Sequence, residues 1–292
     1  MNRIKGILYA AVSSSTFGLA PFFSITLLLA GFSAFEVLSY RWGVASIVLI
    51  VFGWLSGCNF RLAGKDWGVV FLLSLLRAVT SFSLIIAYQN IASGVASTIH
   101  FMYPLAVALA MMFFFREKKS LLVILAVLMS LLGAALLSLG ELEAKSGNTM
   151  VGLVAACVSV FSYAGYIVGV RTTRAVQINS TALTCYVMGL GTIFYLLGAY
   201  CTSGLQLVSD GYTWLIILGL ALPATAISNI TLVQAIKYAG PTLTSILGAM
   251  EPLTAVVIGV FVFKELFTVN SAVGIILILL AVSIVVFRRQ KS

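Results

Sequence analysis

Apolar runs of roughly 20 residues, separated by short polar breaks, follow one another along the whole chain; this is the length a helix needs to cross about 30 Å of hydrocarbon. Ten such runs cover residues 6–28, 33–56, 67–89, 94–115, 120–139, 149–170, 180–202, 212–236, 241–263 and 269–287. The longest polar connection, Glu141 to Thr149, falls at the midpoint. A membrane barrel would show alternating segments of about 10 residues, and the sequence has none. The pattern predicts an all-α polytopic membrane protein with ten transmembrane helices.

Composition supports this reading. Hydrophobic residues make up 61% of the 292 and charged residues 9%, and mean hydropathy is +1.14. Soluble domains carry about 25% charged residues, so this chain has too little polar surface to be wetted on all sides. That argues against a soluble enzyme, a disordered chain or a nucleic-acid binder. The formal charge of +9 is explained by where the basic residues fall. With the N-terminus in the cytoplasm, the inner segments hold Arg3, Lys5, Arg61, Lys65, Arg116, Lys118, Lys119, Arg171, Arg174, Lys237, Arg288, Arg289 and Lys291, and the outer loops only Lys145 and Lys264. This positive-inside bias places both termini in the cytoplasm, and the expected location is a bacterial-type inner (cytoplasmic) membrane. Arg3 and Lys5 before an apolar run loosely fit a cleaved leader, but the run is too long and has a counterpart later in the chain. Cys58, Cys157, Cys185 and Cys201 are scattered, without ligand-like spacing to the single His100. No disulfide framework, metal site or cofactor is expected.

The two halves resemble each other. Residues 87–120 align without a gap on 235–268, at an offset of 148. Tyr103-Pro104-Leu105 falls on Glu251-Pro252-Leu253, Phe113 and Phe115 on Phe261 and Phe263, and Arg116-Glu117 on Lys264-Glu265. Near the start of each half, Gly6, Ser13 and Phe17 match Gly152, Ser159 and Tyr163. Five spans per half is an odd number, so the second half enters the membrane from the opposite side. The expected organisation is two inverted five-helix repeats, residues 1–140 and 148–292. Such repeats are a recurrent transporter design, in which rocking about a pseudo-two-fold axis exposes one central site to either side in turn. The plainer alternative is that duplication merely enlarged a bundle.

Four stretches carry a resemblance to a known family: Ser15-Thr16-Phe17-Gly18, Phe35 to Arg41, Ala87-Tyr88 through Pro104 to Glu117, and Ala235 through Glu251-Pro252 to Lys264-Glu265. On these the chain resembles the EamA-type ten-helix branch of the drug/metabolite transporter (DMT) superfamily. Phe17 departs from the family pattern, which often has Trp there. The resemblance implies export or exchange of amino acids, other small metabolites or drugs, with nucleotide sugars and organic acids also within the family's range. It also implies cavity residues on span 6, at Tyr163 and Tyr166.

Several buried positions carry candidate chemistry. Arg77 lies near the middle of span 3, where a charge costs at least about 2.5–3.5 kcal/mol, so it must face a wet cavity or a partner. Ser74, Arg77, Ser81 and Tyr88 share one helical face. Arg77 is either an anchor for a substrate carboxylate or phosphate, through its planar fork, or a structural cation neutralised by Glu251 or backbone carbonyls. Glu251, at the centre of span 9, shares a small, polar face with Thr244, Gly248 and Ala255. It is a candidate for proton exchange or for binding a substrate ammonium, and equally for an ion pair with Arg77. His100 corresponds to Gly248 and lies one turn from Tyr103; an imidazole ordinarily titrating near pH 6.5 suits a proton relay, while packing is the plainer role. Pro104 and Pro252 each free the carbonyl four residues back, those of His100 and Gly248, and so mark kinks toward the middle of the bundle. Tyr88, Tyr103, Tyr163, Tyr166 and Asn229 are candidates for stacking and hydrogen bonds to substrate, against ordinary packing or interfacial roles. Glu36 and Arg41 read as a structural pair or as snorkelling groups toward the outer end of span 2, and Glu117 and Glu265 as helix-end ion pairs or gates.

The leading expectation is therefore a secondary transporter, exporting or exchanging an amino acid or related solute by alternating access, with proton coupling open. The alternatives are translocation of lipid or lipid-linked sugar, and uptake of an organic anion or nucleotide-type solute. No P-loop supports ATP hydrolysis by this chain. A membrane enzyme would need a nucleophile–base pair or metal cluster, and a channel a filter or charge ring. The expected partners are a small-molecule substrate, protons and the lipid bilayer, without nucleic acid. Monomer and homodimer both remain open.

Overall fold

A computed structural model of the chain describes residues 2–91, 93–117, 120–138, 147–202, 204–254 and 268–288. Lys118, Lys119, Glu141, Lys145, Ala255, Phe261, Phe263, Lys264, Glu265, Arg289 and Lys291 lie outside the described residues. Within them every regular element is helical: α1 (Asn2–Phe17), α2 (Ala20–Leu29), α3 (Ala34–Leu55), α4 (Trp67–Asn90), α5 (Ser93–His100), α6 (Tyr103–Phe113), α7 (Leu121–Ser138), α8 (Thr149–Thr172), α9 (Ser180–Cys201), α10 (Gly211–Ala221), a π-helical segment (Leu222–Ile227), α11 (Ser228–Ala239), α12 (Pro241–Leu247) and α13 (Val269–Arg288). A further helical stretch covers 250–254.

Among the described residues, seven stretches are long and apolar enough to cross a bilayer: Arg3–Leu29, Ala34–Leu55, Gly64–Asn90, Val95–Phe113, Thr149–Thr172, Ser180–Cys201 and Gly211–Ala239. Two shorter apolar helices are Leu121–Gly133 and Ala272–Ile284. The protein is an all-α, multi-pass membrane protein. Its polarity is turned outward-in. Leu, Ile, Val and Trp side chains such as Ile50, Trp54, Leu197 and Leu215 face out, while Ser74, Thr184, Thr225 and Arg77 are fully buried. In hydrocarbon, small polar side chains serve to join helices.

Polar breaks in the sequence become helix caps. Asn148 and Asn179 cap α8 and α9, and Asp210 caps α10, its carboxylate accepting the Thr213 N–H at 2.7 Å. Ser33 and Glu36 form a capping box at the start of α3, and the Glu36 carboxylate also accepts the Gln206 N–H at 2.6 Å. Glu36 is thus occupied by backbone, and the expected pairing with Arg41 does not form.

Among the described residues the backbone departs from plain spans at four places, each beside a proline. Span 1 breaks between α1 and α2, with Pro21 in the first turn of α2. Span 8 widens into the π segment, which begins at Leu222-Pro223. Span 4 turns between His100 and Tyr103 and span 9 between Leu247 and Met250, just ahead of Pro104 and Pro252. The Gly248 carbonyl is not left free, as the sequence suggested. It accepts the Glu251 N–H at 2.9 Å, because the turn tightens to a three-residue spacing before the proline.

Packing follows the repeat offsets. The closest helix pairs are α4 with α8, α1 with α11, α3 with α9 and α7 with α13. Exchanging first-half helices with their second-half counterparts leaves this set unchanged. A Cβ on Gly6 would lie 2.7 Å from Ala239 Cβ and 3.0 Å from Tyr238 Cβ; one on Gly152 would lie 2.6 Å from Ile91 Cγ2 and 3.2 Å from Asn90 Cβ. Gly152 stands 146 residues after Gly6, and Ala239 and Tyr238 stand 148 after Ile91 and Asn90.

Candidate functional site

Helices α1 to α4, α8, the π segment and α11 build a charged centre in the middle of the bundle. Arg77 of α4 is 1% exposed. Its Nε donates to Asn229 Oδ1 at 3.0 Å and its Nη1 to Ser81 Oγ at 3.3 Å. Its guanidinium carbon lies 5.4 Å from the Phe17 ring centre, 5.0 Å from that of Tyr163 and 5.9 Å from that of Tyr166. Arg41 of α3 is also buried, so it neither snorkels nor pairs with Glu36. It turns inward because a neutral acceptor waits there. Its Nε donates to Thr225 Oγ1 at 2.7 Å, and its guanidinium sits 5.4 Å from the same Phe17 ring. Two cations from the first half therefore share one aromatic ring, and each donates its Nε–H to a neutral oxygen of the second.

The π segment positions those oxygens. Thr225 Oγ1 donates to the Leu220 carbonyl five residues back, at 2.7 Å, while accepting from Arg41. Asn229 Nδ2 donates to the Thr225 carbonyl at 2.8 Å, which fixes Oδ1 toward Arg77. π bulges commonly occur at functional sites, and this one, together with the first turn of α11, presents two acceptors to the arginines. At the 148-residue offset, Thr225 is the counterpart of Arg77 and Asn229 that of Ser81.

A second polar group adjoins the first through rings. Tyr163 lies 5.3 Å from His100 and 4.6 Å from Tyr103, centre to centre, and Tyr166 stacks on Tyr163 at 6.5 Å. His100 Nδ1 is 2.8 Å from Ser159 Oγ. His100 Nε2, the Tyr166 hydroxyl and Thr244 Oγ1 are buried without a hydrogen-bond partner among the described residues. Gly248 makes room for the Tyr103 hydroxyl, which a Cβ there would meet at 1.7 Å. Glu251 is 7% exposed and forms no ion pair with either arginine; among the described residues the ion pair present is Arg174–Asp66, at 3.0 Å.

Phe17, Ser24, Arg41, Arg77, Ser81, Leu84 and Tyr88 line a cleft between α1–α2 and α4. Its cavity volume is about 10 Å³, roughly one water position, so a solute enters only if the helices part. Of the face expected from the sequence, Arg77, Ser81 and Tyr88 line this cleft, while Ser74 donates to the Val187 carbonyl at 2.9 Å instead. Tyr88 also meets Ser97 Oγ at 3.3 Å. The sequence reading missed Phe17 as the shared ring, and Arg41 and Thr225 as site residues. Extending the 148-residue offset back to Arg77 would have pointed to Thr225.

The EamA-like transporter family matches residues 4–139 and again 150–287. An uncharacterized transporter of Archaeoglobus fulgidus is 28% identical over 238 residues, covering 80% of this chain and 83% of that protein. A crystal structure superposes with a TM-score of 0.80 at 18% identity, over 100% of this chain and 99% of the other.

Proposed function

From the chain's membership of the EamA-like transporter family, and hence its role as a membrane transporter, we propose that it carries a small metabolite bearing an anionic group by alternating access. The observation that carries this reading is the pair of buried guanidiniums, Arg41 and Arg77, whose hydrogen-bond partners are all neutral. Excess positive charge in a dry site draws an anion, and a carboxylate would exchange neutral hydrogen bonds for stronger charge-assisted ones. An amino acid would set its carboxylate on these arginines and its ammonium toward Glu251 and the tyrosines. Glu251 is the first candidate for proton coupling, being the acidic group that adjoins the site.

Two inverted repeats, residues 1–140 and 148–292, supply the two end states. The shared packing of Gly6 and Gly152 supports this division. Basic connections gather at one end of the bundle: Arg171 Nη1 donates to the Lys237 carbonyl at 3.0 Å, the Lys237 ammonium to the Ile178 carbonyl, and Arg174 pairs with Asp66. We take that end, with both termini, as cytoplasmic, in a cell membrane of inner-membrane type.

The test is counterflow in proteoliposomes, screened with labelled amino acids, organic acids and nucleosides. Arg77→Ala and Glu251→Gln are measured beside wild type, with and without a pH gradient. Saturable uptake, lost in Arg77→Ala and uncoupled from the gradient in Glu251→Gln, is expected. Normal transport by Arg77→Ala refutes the anion site, and no flux of any solute by folded protein refutes the small-metabolite reading.

A further inference from the structure

The cleft lies between two walls, Phe17, Ala20, Pro21 and Ser24 on one side and Ser81, Leu84, Ile85 and Tyr88 on the other. At the repeat offsets of 146 and 148, the counterparts of Ala20, Pro21, Ser24, Leu84, Ile85 and Tyr88 are Tyr166, Ile167, Val170, Leu232, Val233 and Ile236. These six belong to one buried apolar cluster. There α8 packs directly on α11, whereas in the first half α4 stands off from α1 and α2 and the cleft fills the space. The backbone is unequal in the same sense. Gly18 and Leu19 break span 1, but their counterparts Ala164 and Gly165 lie inside the unbroken α8. Gly165 is not needed for packing, since a Cβ there would find only Leu76 Cδ1 and Cδ2, at 3.5 and 3.6 Å. Glycine within a helix weakens it relative to alanine, which leaves a soft point where the other half already bends. One polar atom marks the sealed wall: the Tyr166 hydroxyl, buried and without a partner among the described residues, a group that an aqueous path would satisfy.

We infer that the second leg of the transport route runs between α8 and α11, past Tyr166, Ile167, Val170, Leu232, Val233 and Ile236, and opens by bending α8 at Ala164–Gly165. This rests on the alternating-access reading above and goes further, in naming the wall that parts and the hinge that parts it. The route is apolar below the arginine cluster. A solute leaving the charged site therefore meets the Tyr166 hydroxyl at the head of that apolar stretch.

The test places single cysteines in a chain whose Cys58, Cys157, Cys185 and Cys201 are replaced by Ser. Val170→Cys and Ile236→Cys report on the proposed leg; Ser24→Cys and Leu84→Cys report on the cleft. A membrane-impermeant sulfonated maleimide is applied to right-side-out and inside-out vesicles, with a mixture of the protein-forming L-amino acids other than cysteine present. Modification of the first pair from the cytoplasmic face and of the second from the outer face is expected. Adding Gly165→Ala should slow modification at 170 and 236 about fivefold, the equilibrium shift one such exchange supplies in a helix, and should raise rather than lower the Tm. Vesicles that perform counterflow while positions 170 and 236 stay unmodified from the cytoplasmic face overturn the route, leaving the transport reading intact. Unchanged modification rates in a folded Gly165→Ala protein overturn the hinge. Absence of flux in every vesicle removes the reading beneath both.

Discussion

Asn229 offers the sharpest separation between an arginine that holds helices together and one that meets solute. It is fully buried, accepts from Arg77 Nε at 3.0 Å and donates to the Thr225 carbonyl at 2.8 Å. Asn229→Ala removes both bonds and leaves Arg77 with Ser81 at 3.3 Å. A hydrogen bond to a charged group contributes about 1.5–3 kcal/mol and a neutral one about 1, so the loss is about 3 kcal/mol. For a chain of this size that lowers Tm by roughly 5 °C. Asn229→Asp keeps an acceptor and adds a charge. At about 3 Å and an effective dielectric near 20, the attraction to the guanidinium is about 5 kcal/mol, which offsets most of the several kcal/mol of burying a carboxylate, so Asn229→Asp should melt closer to wild type than Asn229→Ala. The same carboxylate occupies the cation a solute anion would use, so KM in counterflow rises at least about tenfold, equivalent to about 1.4 kcal/mol of lost binding. The pair of measurements is thermal melting of the purified protein and the concentration dependence of uptake. A stable Asn229→Asp protein with wild-type KM would refute solute contact by Arg77, and an Asn229→Asp protein as unstable as Asn229→Ala would refute the electrostatic arithmetic.

Ser159→Ala strands His100 Nδ1, whose partner is Ser159 Oγ at 2.8 Å; a buried group left unpaired costs about 1–3 kcal/mol. A lower Tm with unchanged KM and unchanged response to a pH gradient is expected, and loss of that response would instead place His100 on a proton route. Asp210 lies outside the spans. Its hydrogen bond from the Thr213 backbone N–H holds its carboxyl below the ordinary carboxylate value, so its stabilising effect is complete above that value and lost as pH falls through the lowered one. Asp210→Ala should melt below wild type at neutral pH, with the two curves converging in acid; a constant gap down to low pH would refute the cap.

The helical, membrane-spanning fold was legible because hydropathy and length alone fix it, and family membership because Pro104-to-Glu117 recurs at Pro252-to-Glu265. Arg77 was legible for the same reason: a charge at that depth must have an internal partner. Which partner was not, since hydropathy gives depth along a helix and not direction around the bundle. Arg41 shows the difficulty. It begins the third turn of α3, within apparent reach of the membrane surface, yet it turns inward to Thr225. The π segment that presents Thr225 left only Pro223 as a signal, and a proline announces a disturbed helix without saying whether it breaks, bends or widens. Asn229 appeared as one polar residue among several; only the fold shows that it faces Arg77.

Arg41 and Arg77 both belong to the first half, and the groups that accept their Nε–H, Thr225 and Asn229, to the second. This division of labour constrains how such a site can originate. Two identical halves would carry arginine at Arg77 and again at the position of Thr225, crowding like charges into one buried centre with only Ser81 and its copy left as side-chain acceptors. Within one chain, the first half supplies the cations and the second half Thr225 and Asn229 as their hosts, an arrangement that two identical halves could not make.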